Sequence, residues 1–75
     1  MNYRGNLAWC RKEITRVQED KEALEARGRK TFEDEERWWE CLSDLTALAH
    51  MVGFYERRVR AEEEYRKRPS GVGGA

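Results

Sequence analysis

Gly28-Arg29-Lys30-Thr31-Phe32-Glu33-Asp34-Glu35-Glu36 is the stretch that decides how this chain folds. Glycine enters the left-handed backbone region without the Cβ clash that other residues meet, so Gly28 reads as the residue just past a helix C-terminus. Thr31 reads as the N-cap of the next helix. Its hydroxyl can accept an N–H of the first turn, and Asp34 stands where a capping box has its acidic partner, in the weaker Asp form. Four consecutive acids, Glu33 to Glu36, crowd that first turn, where the helix dipole favours negative charge. One helix thus ends and another begins across a turn at 28–30, which predicts an antiparallel helical hairpin.

Working toward the N-terminus, the spacing predicts a helix over about 6–27, with Asn6 as N-cap and Arg27 near the negative end of the dipole. Its apolar residues are Tyr3, Leu7, Cys10, Ile14, Val17 and Leu24, spaced 4, 3, 4, 3 and 7. This is a heptad seam of the coiled-coil kind, with Leu7 and Ile14 at a, and with Tyr3, Cys10, Val17 and Leu24 at d. Lys21 takes the skipped a position, where a polar residue can fix register or subunit number, or else snorkel to solvent.

Working toward the C-terminus, a second and longer helix is expected over about 32–67, with an inner stripe of Trp38, Cys41, Leu42, Leu45, Leu48, Ala49, Val52, Tyr55 and Val59. Glu62, Glu63 and Glu64 stand four residues ahead of Arg66, Lys67 and Arg68, the favourable order for i,i+4 pairs. Beyond Pro69, the Ser-Gly-Val-Gly-Gly-Ala run reads as a flexible tail, 69–75, after a single domain over 1–68.

Folded at 28–30, the arms bring Val17 opposite Leu42, Ile14 opposite Leu45, Cys10 opposite Ala49 and Leu7 opposite Val52, so apolar layers agree. The arms are unequal, and the second overhangs by ~20 Å at 1.5 Å per residue. The second helix also carries Trp39, Ala47, Met51 and Phe54 away from its inner stripe. A helix apolar nearly all round needs more than one neighbour. The expected fold is therefore all-α, a hairpin associating into a homodimeric four-helix bundle. The alternative is a three-helix arrangement in which Gly53 breaks the second helix. Glycine within a helix costs only about 1 kcal/mol relative to alanine, and the heptad runs through it, which favours association.

Composition narrows the function. Of 75 residues, 40% are charged, yet three Trp, three Tyr and two Phe argue against a disordered chain. Fifteen basic side chains balance fifteen acidic ones, so no global field draws the protein to nucleic acid or an anionic membrane. The charges are segregated, with a basic start, an acidic stretch over 31–55 and a basic end. Leu45 to Tyr55 is the longest apolar stretch, about half the length of a membrane span. Met1 to Asn6 is polar rather than a secretory signal, and a cytoplasmic location with reduced thiols is expected.

Cys10, Cys41 and His50 are the residues with chemistry to offer. They lack the paired spacing of a structural zinc site, and no Gly-rich turn supplies an oxyanion hole. No enzyme activity, metal or cofactor is expected. Arg57, Arg58, Arg60, Arg66, Lys67 and Arg68 are interleaved with glutamates, which reads as a solvated face rather than a nucleic-acid surface.

The expected function is that of a small homo-oligomeric protein-binding module, a regulator or inhibitor of another protein. Trp39, Met51, Phe54, Tyr55, Arg57 and Arg58 are the candidate surface for self-association or partner binding, because Trp, Tyr and Arg dominate binding hot spots. Arg outnumbers Lys eleven to four. A short helical chain of this kind looks like many small bacteriophage products that bind and inhibit or redirect a host protein, a resemblance of type that rests on no motif. Two rival expectations are a pocket for a small anionic molecule between subunits and a structural subunit of a larger assembly.

Overall fold

The computed structural model describes residues 2–67, which form two helices, α1 (Tyr3–Ala26) and α2 (Phe32–Lys67), packed against each other. The segment 69–75, read above as a tail, lies outside the described residues.

α1 begins at Tyr3, three residues ahead of the start read from the sequence. Asn2 offers the same capping chemistry as Asn6 one turn earlier. Its side-chain oxygen accepts the Gly5 N–H at 2.9 Å, and its carbonyl accepts the Asn6 N–H at 3.0 Å. Gly5 makes this possible, since a Cβ there would stand 2.5 Å from Asn2 Nδ2. The extra turn brings Tyr3 onto Tyr55, with ring centroids 6.3 Å apart.

The reversal is a Schellman motif. Gly28 N–H donates to the Glu25 carbonyl at 3.0 Å and Arg29 N–H to the Leu24 carbonyl at 3.2 Å, satisfying carbonyls that the end of a helix leaves open. Gly28 has φ +82°, and Arg29, at φ +48°, is a left-handed residue that bears a side chain. Its guanidinium stacks 4.2 Å from the Trp38 ring centre, an attraction that offsets backbone strain. Thr31 then caps α2, its hydroxyl accepting the Asp34 N–H at 3.0 Å.

The seam between the helices follows the heptad. Leu7, Cys10, Val17 and Leu24 of α1 are buried with Cys41 and Leu48 of α2; Ile14, Trp38, Leu45, Met51, Val52 and Tyr55 pack half-buried against this core. The inner stripe of α2 is thus 38, 41, 45, 48, 52 and 55. Leu42 is only half-buried and Ala49 is exposed, although the sequence register set them opposite Val17 and Cys10. One residue turns a helix by about 100°, so choosing Cys41 and Leu48 for the seam puts Leu42 and Ala49 on its flank. Gly53 lies within an uninterrupted α2, so the three-helix alternative is not adopted. Val52 and Tyr55, on either side of it, hold α2 against α1.

Ion pairs fix the antiparallel register from both edges. Arg4 meets Glu63 at 2.6 Å and Arg11 meets Glu56 at 3.0 Å along one edge, while Arg37 meets Asp20 at 3.7 Å along the other. Near the turn Arg27 meets Asp34 at 2.7 Å. Each is solvent-exposed and contributes little stability alone, but together they disfavour slipped alignments.

Trp38 seals the turn end. Its Nε1 donates to Glu25 Oε2 at 3.1 Å, and Lys21 Nζ reaches the same oxygen at 2.9 Å while lying 5.6 Å from the Trp38 ring centre. Lys21, the odd residue of the α1 stripe, is thereby tied to both helices. The hydrogen bonds from Lys21 and then Trp38 hold the Glu25 carboxyl below its ordinary pKa. Folding therefore favours ionised Glu25. That stabilisation is present above the unfolded carboxylate pKa and disappears as pH falls through the lower folded one. Chemical unfolding at stepped pH should find that Glu25→Gln is less stable than the parent at neutral pH, and that the difference shrinks on acidification. A difference constant down to pH 2 would refute this role.

Two substitutions probe the reversal. Gly28→Ala places a Cβ at positive φ, and Thr31→Ala removes the α2 cap; each is expected to destabilise the fold by about 1 kcal/mol, read as a lower urea midpoint with unchanged slope.

Candidate partner-binding surface

A single neighbour covers one stripe of a helix, and α2 is apolar well outside its stripe. The fold sets Trp39 apart from the other residues singled out from the sequence. Trp39 is 59% exposed near the turn, its ring edge-on to Trp38 at 5.0 Å. Phe54 is 43% exposed and lies fifteen residues further on, about 22 Å along the axis. Tyr55 turns inward, half-buried against the core, and Met51 is likewise half-buried at the seam's margin.

Phe54, Tyr55, Arg58 and Tyr3 do form a cluster. Phe54 stands edge-on to Tyr55 at 5.4 Å, and the Arg58 guanidinium lies 5.4 Å from the Phe54 ring centre and 6.0 Å from that of Tyr3. Cation–π contact of this kind keeps an arginine beside an aromatic face while leaving its donors free. Arg57 lines a shallow concavity with Phe54, Arg58 and Ala61, and its Nη1 stands 3.5 Å from where a Cβ on Gly53 would lie.

Trp9 is the residue that the sequence reading missed. It stands one position before Cys10, off the heptad, so counting apolar periodicity passes over it. In the fold it is 53% exposed and forms one wall of a groove with Ala47, Leu48 and Met51 of α2, closed below by Val17. Glu13, Arg16 and Asp44 border this groove. Arg16 bridges Glu13 at 2.8 Å and Asp20 at 3.5 Å, and its hydrogen bond holds the Glu13 carboxyl below its usual pKa. The signal in the sequence was a tryptophan standing alone on an otherwise polar helix face.

The opposite flank carries a second groove, lined by Leu42, Leu45, Thr46, Ala49 and His50. Among the described residues no charged side chain lines it, and His50 and Thr46 are its only polar ones. The hairpin thus shows two faces of different character, an aromatic groove edged with ion pairs and an aliphatic groove free of them.

The groups with chemistry to offer are set apart. Cys10 has no solvent exposure and Cys41 only 6%; both are free thiols, and burial, then the nearby Asp20 charge, pushes the Cys41 thiol pKa up. His50 is exposed on the flank of α2. Among the described residues, no three His, Cys, Asp or Glu side chains are grouped to hold a metal ion, and no helix is long and apolar enough to cross a membrane. Comparison with protein-family models, curated proteins and solved structures gives no match to this chain.

Proposed function

We propose that this chain is a small helical protein-binding module that associates with a second copy of itself, and that acts as a regulator or inhibitor by holding another protein on the surface left over. The observation that carries the reading is the incompleteness of the core. Among the described residues six apolar side chains are buried, only Cys10 wholly so, while Trp9, Trp39 and Phe54 stay exposed. Chains of this size gain little from a single small core and commonly draw further burial from a second subunit. Returning even part of three large aromatic side chains to an apolar setting contributes several kcal/mol at about 25 cal/mol per Å².

Two grooves of unlike character support a division of labour. Self-association consumes one flank, and the other remains for a heterologous partner. The Trp9 groove, with one tryptophan wall and charges at its rim, has the anatomy of a transient protein interface, in which a buried anchor is ringed by polar groups.

The deciding measurement is mass in solution by light scattering over a concentration series, with reducing agent present. A mass twice that of the chain, falling only on strong dilution, is the expected result. A monomer at all concentrations up to the millimolar range removes the self-association half of the proposal.

A further inference from the structure

Resting on the reading of a self-associating module, we propose that the second copy lies antiparallel along α2, over the flank of Leu42, Thr46 and Ala49. In this arrangement Glu36 of each chain meets Arg60 of the other, and Trp39 of each meets Arg57 of the other.

The aliphatic groove identifies the face. Leu42 and Leu45 are half-buried and Ala49 is exposed, so an apolar strip runs beside the seam with no residue of α1 over it. Lacking charged side chains, this strip can be desolvated without stranding a charge, whereas the Trp9 groove would bring Glu13, Arg16 and Asp44 with it.

Charge identifies the occupant and its direction. α2 is acidic at its start, with Glu33, Asp34, Glu35 and Glu36, and basic further along, with Arg57, Arg58 and Arg60. Among the described residues, Glu36, Arg57 and Arg60 have no ion-pair partner within the chain. Residues 36 and 60 share a midpoint at position 48, and so do residues 39 and 57. The aliphatic strip straddles that point. A two-fold axis across α2 near residue 48 therefore satisfies two relations at once: acid against base, and tryptophan against arginine. An isologous contact of this type repeats each relation on both sides of the axis. A parallel pairing would set Glu36 against Glu36 and Arg60 against Arg60, and would align the helix dipoles unfavourably.

Disulfide trapping tests the geometry, since a bridge needs Cα atoms within about 7 Å. Chains carrying Glu36→Cys are mixed with chains carrying Arg60→Cys, oxidised mildly, and run without reductant. The expected product is a covalent dimer in the mixture and none from either variant alone; the parent, whose thiols are buried, serves as the blank. Near the axis, Ala49→Cys is expected to form a covalent dimer by itself. If light scattering shows a dimer but Glu36→Cys links to itself, or no combination links, the antiparallel arrangement is overturned while self-association stands. A parent chain that is monomeric overturns both.

Discussion

Because Gly28 and Arg29 both occupy the left-handed region, α1 ends and the chain turns back before α2 begins at Phe32. The apolar stripe of α1 is thereby delivered to the chain's own second helix rather than to solvent. The Schellman hydrogen bonds satisfy the carbonyls at the end of α1, and Thr31 satisfies a donor at the start of α2. The turn therefore leaves few polar groups in want of a partner. Everything above it, from the Trp38 seal to the ion pairs at each edge, is register imposed by that reversal and then reinforced.

Much of this was legible in the residues. Gly28 and Thr31 mark their boundaries by chemistry that few other residues share, and the heptad of α1 follows from spacing alone. Two matters were less legible, for physical reasons. Asn2 and Asn6 are the same residue one turn apart, and only the fit of the Asn2 side chain against Gly5, with Tyr3 reaching Tyr55, decides between them. Cys41 and Leu42, like Leu48 and Ala49, are adjacent apolar pairs, and periodicity accepts either member; three-dimensional packing chooses the first of each. Of the candidate surface, Trp39, Phe54, Arg57 and Arg58 are exposed, but the distance of Trp39 from the other three is not legible in a list of residue types. Trp9 escaped because it belongs to no stripe.

The seam is thin for a structure of this length, and its composition suits that fact. Small thiols at Cys10 and Cys41 let the helix backbones approach closely, while the leucines and valines between them fill the remaining space. Bulk that would enlarge a closed core has been placed on the flanks instead. A hairpin built this way is a scaffold for surfaces: the reversal holds two helices in fixed register, and the side chains outside the seam are free to differ in character on each side.

Cys10 lends that seam a further property. Its thiol has no solvent exposure, and the only way to expose it is to part the helices around it. The rate at which a small alkylating reagent consumes this thiol is therefore a clock for local opening, with the reactive moments set by the equilibrium between closed and parted hairpins. Any partner that clamps the two helices together slows the clock, and any partner that inserts between them quickens it. The molecule thus carries, at its centre, its own reporter of how it is being held.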